Sequence, residues 1–295
     1  MPAPWPREGF VFGGGAAHIA LVALSSTKLP DPLPVSRARH GMPDEGDGAM
    51  AVALVARDRA DDPAWFTTQV VGPFADLIAT DLGPSAAATA LAAEHAYVIE
   101  AQLDDPDDLG HIQAVWALAK CVCEEGAAIV IDVYAARAHL GSEVAQLAPE
   151  RSFDVMHEVT LFFEDLPDGT LAAWSLGLRK FGRPDLVLLG IAPEAATEAA
   201  VMLRDLAATL AGGDRIEPGD CVQAPGGRVL VAARFEADMS PAVAVDGPAL
   251  ILLDQPREDR PNGEPGDADE PGEPGDANEP GVPVPDGAAG TPPVG

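Results

Sequence analysis

Across 295 residues, 47 acidic side chains stand against 18 lysines and arginines, and the formal charge of −29 excludes polyanions, whether nucleic acid or anionic membrane, as partners. Three cysteines are too few for a disulfide framework, and no apolar run approaches the roughly 18 residues that a membrane helix needs, so the expected compartment is the cytoplasm. Hydrophobic residues make up 47% of the chain and aromatic ones only 5%, which predicts a core built largely of Ala, Val and Leu.

The first strand is expected over 19–24, within an apolar run that holds His18 and lacks the small-residue cleavage site of a signal peptide. Gly13-Gly14-Gly15 ahead of it has no following Gly-Lys-Ser/Thr and reads as a turn rather than a phosphate loop. Ser25-Ser26-Thr27-Lys28 matches S-x-x-K literally, yet Pro30 and Pro32 deny it the helix that would project Ser25 and Lys28 together. Loop-like composition continues to Gly48, and residues 1–50 are assigned to the same globular unit as the segments after them.

A buried strand is expected over 51–56, mixed helical signals occupy 63–82, and an Ala-rich helix is expected over 84–93. Residues 96–103 place Tyr97, Ile99, Ala101 and Leu103 on one face, the period of a strand. The strongest helix spans 106–125, with Asp105 as its N-cap, Pro106 at its first position and Gly126 at its end. Its apolar stripe is Leu109, Ile112, Trp116, Ala119 and Cys123. Cys121 and Cys123 point about 200° apart on such a helix, so they cannot share a metal ion and read as packing residues. With a β-branched run over 128–134 the helix completes a strand-helix-strand crossover that permits parallel pairing.

A hairpin comes next, its strands over 158–164 and 170–178 joined by Pro167-Asp168-Gly169. Residues 185–191 form a further strand. Pro193 then opens a helix whose stripe of Ala199, Met202, Leu203, Leu206 and Leu210 stops at Gly212-Gly213, and strands over 228–235 and 249–253 close the globular part. The class is α+β: a mostly antiparallel sheet with helices packed on it, arranged either as two ferredoxin-like halves or as one elaborated sheet, with the main domain at 51–255.

From 256 to 295 an acidic, Pro/Gly-rich tail is expected to be disordered. Between 261 and 295 there are nine Pro, eight Gly and eight acids but no Lys, Arg, aromatic residue, Leu or Ile, so nothing repays the entropy of ordering. Its tandem repeat, EPGDADEPG then EPGDANEPG, puts Asp269 and Asn278 where a collagen helix demands Gly.

One polar constellation carries chemical potential: Asp132 at a strand end, His139 and Glu143 in the next segment, and His157-Glu158 at the start of the hairpin. Two imidazoles with several carboxylates suit an acid/base pair or a divalent-metal site, although the spacing matches no established ligand motif. Asp132, His157 and Glu158 are the catalytic candidates. The plainer reading has these groups facing water or pairing with Arg137 and Arg151.

The most distinctive segment runs Trp174-Ser175-Leu176-Gly177-Leu178-Arg179-Lys180-Phe181-Gly182-Arg183-Pro184-Asp185-Leu186. It resembles the T-x-G-[LM]-x-x-x-G-x-P-[DE]-L pattern of several uncharacterised bacterial domain families of unknown function, over about 96–210, with Ser175 where Thr is common and Trp174 and Leu176 in place of polar residues. The resemblance implies a compact α+β domain. Physically, Gly177 and Gly182 let the chain reverse, Pro184 fixes the entry to the next strand, and Phe181 can plug the core. Arg179, Lys180 and Arg183 either pair with the chain's own carboxylates, such as Asp185 and Glu158, or form a basic spot that grips an acidic partner or small anion. Since no catalytic motif is intact, the expected function is a protein-binding or adaptor module with no cofactor or metal. The alternative is a metal-dependent hydrolase using Asp132, His139, His157 and Glu158.

Overall fold

Two mostly antiparallel sheets with helices packed against them account for residues 2–43, 51–151, 154–224 and 227–254, which a computed structural model describes. Strands β1 (Ala16–Ser25), β2 (Val52–Asp58), β3 (His95–Asp104), β4 (Ile129–Asp132) and β5 (Arg137–Leu140) form the first sheet, in the order β2-β3-β1-β4-β5. The second contains β6 (Thr160–Asp165), β7 (Leu171–Leu176), β8 (Asp185–Ile191), β9 (Cys221–Gln223), β10 (Val229–Arg234) and β11 (Ala249–Asp254), in the order β6-β7-β8-β11-β10-β9. Only the β8–β11 pair is parallel among the pairings described. The longer helices are α1 (Pro73–Leu82), α2 (Pro84–Leu91), α3 (Gly110–Glu124) and α4 (Ala196–Ala211). Both sheets are larger than the four-stranded sheets of ferredoxin-like halves. The tail expected over 256–295 lies outside the described residues.

Strand β1 shows why the sequence builds these layers. Ile19, Leu21 and Ala23 point into a core shared with α3, α4 and the second sheet, whereas Val22 and Leu24 point the other way, into a core closed by α1 and α2. A central strand buried on both faces reads as a continuous apolar run, and β1 is one. The second sheet divides in the same way: Leu186 and Leu188 of β8 join the shared core, while Val187 packs with Trp174 and Ile251 on the far face. Helix α3 is buried around nearly its whole circumference, His111 and Gln113 included.

Four expectations change. The strand expected to be buried over 51–56 forms as β2, but at the edge of its sheet with Leu54 and Val55 exposed. The crossover through α3 is real, but β3 and β4 do not pair; β1 lies between them, antiparallel to both, with Ala23 opposite Tyr97 on one side and Val130 on the other. Asp105 does not cap α3. It takes a left-handed backbone (φ 35°), and its Oδ2 accepts from the amides of Gly13 and Gly14 at 2.7 Å each, so the helix begins later, at Gly110. Two short strands, β5 and β9, appear where none was expected.

Candidate functional site

The turn between β7 and β8 organises the site. Ser175 at the end of β7 donates through Oγ to Asp185 Oδ1 (2.9 Å) and accepts from the Leu186 amide (2.9 Å), while Asp185 Oδ1 also accepts from the Leu178 amide (3.2 Å). This ties the two ends of the turn. Gly177 (φ 119°) and Gly182 (φ 65°) occupy backbone that L side chains rarely adopt, and a Cβ on either would fall 2.3 Å from a carbonyl oxygen, that of Glu158 or Gly15. Between them a single 3-10 turn, Leu178–Phe181, drops Phe181 into the shared core and aims Lys180 inward.

Lys180 is completely buried, and its Nζ donates to Asp132 Oδ2 at 2.5 Å and to Glu158 Oε2 at 2.6 Å. Burial works to lower the Lys180 pKa, but the two carboxylates outweigh it and the net shift is upward. For Glu158, burial pushes the pKa up, Lys180 opposes it, Asp132 adds to it, and the result is a raised value. Two carboxylates therefore share one ammonium in a dry setting. His111 supports the turn from below: its Nε2 donates to the Lys180 carbonyl (2.9 Å), and burial holds its pKa down at about 4, so the ring is neutral.

The basic spot expected on Arg179, Lys180 and Arg183 does not form at the surface. Lys180 is spent on Asp132 and Glu158. Arg183 is 4% exposed and donates to Asp105 Oδ1 (2.6 Å), Asp214 O (2.8 Å) and Gly213 O (2.8 Å). Asp185, expected to pair with these cations, bonds to Ser175 instead. Arg179 alone stays partly accessible, its guanidinium 4.7 Å from the centre of the Tyr134 ring.

Glu158 also faces outward, into a cavity of about 530 Å³. Its deep walls are Trp5, Trp116, Val144 and Glu158, with His139 beside them; Arg137, Glu143, Gln146, Arg151, Asp154 and His157 lie around them. Trp5 is fixed by its indole N–H on Pro149 O (2.9 Å) and its amide on Gln113 Oε1 (3.2 Å). Trp116, 4% exposed, turns its indole N–H toward Glu158, where it favours the ionised carboxylate. The His139 ring stands edge-on to Trp116 (centroids 5.4 Å apart, 87°); its Nε2 is buried without a partner, and burial lowers its pKa. At the rim, Asp154 caps the turn Val155–Glu158 by accepting from the Met156 amide (3.0 Å), and Arg137 Nη1 donates to Met156 O (2.9 Å).

Of the residues proposed from sequence, His139, Glu143, His157 and Glu158 thus line one cavity, and Asp132 lies behind it, joined through Lys180. Among the described residues, no group of three or more His, Cys, Asp or Glu side chains is placed to hold a metal ion. Sequence reasoning missed Trp5 and Trp116 as cavity walls; the position of Trp116 on the buried stripe of α3 was the available signal. Cys121 and Cys123 are buried packing residues, their thiol pKa values pushed up by burial to about 11 and about 12. No family model matches the chain, and neither a curated protein nor a solved structure shows significant similarity to it.

Proposed function

We infer that the protein is a binding module and that this cavity is where it holds a segment of a partner polypeptide. The observation that carries the reading is the lining itself. A pocket with Trp5 and Trp116 at its base, Arg137 and Arg151 around it and the exposed Met156 nearby has residue types enriched at the energetic centres of protein interfaces, and the acids Glu143 and Asp154 add a polar surround. A volume of about 530 Å³ suits one or two inserted side chains. The carboxylates that a hydrolase would need, Asp132 and Glu158, are engaged by the Lys180 ammonium, which favours a recognition role for the site.

The test is site-specific photo-crosslinking in the full chain. A photoreactive residue at Gln146, on the cavity, is expected to join a discrete polypeptide, and competition by unlabelled protein is expected to abolish the adduct. The same residue at Thr89, exposed on α2 beyond the other face of the first sheet, is expected to give no such product. Equal adducts from both positions, or no polypeptide adduct from Gln146, would remove the support for this reading.

A further inference from the structure

Charge at the cavity floor does not close. Asp132 and Glu158 contribute two carboxylates, Lys180 returns one ammonium, and all three are essentially without solvent. An uncompensated buried negative charge calls either for a proton or for a cation arriving from the cavity side, because the low-dielectric interior does not screen it. Only Glu158 of the three lines the cavity, so any such cation must meet it there.

The walls around Glu158 match one kind of cation. Trp5 and Trp116 line the cavity with aromatic surface against which an aliphatic stem can lie, and aromatic rings attract a nearby cation. The Trp116 N–H is buried beside Glu158, where its pull on the carboxylate favours the ionised form that a bound cation would need. The His139 Nε2, buried and unpartnered, can accept from a donor bound beside Glu158. The cations around the cavity do not cancel the preference. Arg137 is turned onto the Met156 carbonyl, Arg151 is exposed to solvent, and Glu143 and Asp154 lie close by with the opposite sign. Beyond the cavity, a net charge of −29 draws basic segments toward the whole molecule.

We propose that the cavity takes the ammonium of a lysine side chain carried by a basic segment of the partner, with its stem along Trp5 and Trp116 and its charge against Glu158. This rests on the reading of the cavity as a polypeptide-binding site. Lysine suits the geometry because its charge is compact and sits at the end of a thin chain, whereas Glu158 is deep and only 3% exposed.

The experiment presents the full-length protein with three pools of hexapeptides, identical in their randomised flanks and carrying a central Lys, norleucine or Glu. Retention is quantified by mass spectrometry, and engagement is read from the indole N–H resonances of Trp5 and Trp116. The Lys pool is expected to be retained at least about tenfold better than norleucine, with Glu weakest. Asp132→Asn, with its folding verified from the dispersion of the Trp5 and Trp116 indole resonances, leaves Lys180 and Glu158 as a balanced pair and is expected to collapse the Lys-over-norleucine ratio toward unity; an undiminished ratio in the folded variant overturns the uncompensated charge as its source. Norleucine retained as well as Lys overturns the cation while leaving the binding reading intact, provided Gln146 still crosslinks a polypeptide. Retention of none of the pools overturns it as well, and together with a failed crosslink removes both.

Discussion

Lys180 Nζ lies 2.5 Å from Oδ2 of Asp132, so the turn joining two strands of the six-stranded sheet is fastened to the last residue of β4 in the five-stranded one. The same ammonium holds Glu158, which leads into β6. Buried ion groups of this kind contribute little net stability, because desolvation offsets their attraction, but removing one partner strands the others. Lys180→Met leaves two buried carboxylates facing each other and is expected to cost about 3–5 kcal/mol in urea unfolding. Adding Asp132→Asn and Glu158→Gln removes the stranded charges and should return much of that loss. A single Lys180→Met variant as stable as the parent would show that the triad does not hold the sheets together.

Two buried titrating groups act on stability in opposite directions over nearly the same pH range. Burial raises the Asp185 carboxyl from its ordinary 3.8 to about 7, against hydrogen bonds from Ser175 and Leu178 that favour the ionised form. Its folded pKa is the higher one, so its contribution is fully present below about pH 4 and is lost as pH rises through 7. Burial lowers His111 from 6.5 to about 4. Its contribution is present above pH 6.5 and is lost as pH falls through 4. The wild type should therefore show a shallow thermal-midpoint profile between pH 4 and 7 as far as these two groups are concerned. Asp185→Asn should leave a midpoint that climbs with pH across that window, and His111→Gln one that falls. Parallel profiles in the two variants would contradict the opposed assignments.

Arg183 makes contacts that no other cation can reproduce. Its guanidinium bridges Asp105, which holds the Gly13 and Gly14 amides, to the carbonyls of Gly213 and Asp214 beyond α4. A lysine ammonium is a point donor and reaches one of these clusters at a time. Arg183→Lys is expected to lose about 2–3 kcal/mol and to speed hydrogen exchange at Gly13 and Gly14. Unchanged exchange at those two amides would place the clasp elsewhere.

Much of this architecture is legible in the sequence alone, for physical reasons that also mark where legibility stops. Strand β1 announces itself because a strand buried on both faces must be apolar throughout, and α3 because its stripe recurs at three and four. Strand β5 alternates Arg137 and His139 with Ala138 and Leu140, four residues that are too few to establish a period. Its existence depends on pairing with β4. Glu158 is recognisable as a candidate from its polar company, and its pairing with the motif cations is one of the two readings that the sequence allows. The burial of Lys180 between Glu158 and Asp132 is not recognisable, since those contacts span 22 and 48 positions and exist only once both sheets are in place. Asp105 misleads because an acid before a proline and a helical stripe looks like a cap, and nothing local reveals a glycine-rich loop arriving from about ninety residues away to claim its carboxylate.

Glycines at positive φ separate two costs that are often merged. Gly169, in the β6–β7 hairpin, sits at φ 82° with nothing within 4 Å of where a Cβ would be, so Gly169→Ala meets only the backbone penalty, about 1 kcal/mol. Gly182 sits at φ 65°, a comparable backbone, but its Cβ would lie 2.3 Å from Gly15 O and 3.4 Å from the Ala17 amide nitrogen. Those atoms are backbone, and Gly15 N donates to the Gly182 carbonyl (2.9 Å), so the neighbour cannot swing aside without breaking that bond. Gly182→Ala should therefore cost the backbone penalty plus a displaced contact between the turn and the start of β1, about 3 kcal/mol or more in denaturant unfolding. Because Lys180 and Arg183 flank this glycine, the displacement should also reach their carboxylate partners and lower the protection of the Asp105 and Leu178 amides. Equal losses for the two substitutions would mean that the turn yields freely, and the close approach of Gly182 to Gly15 would then not be what holds Lys180 in place.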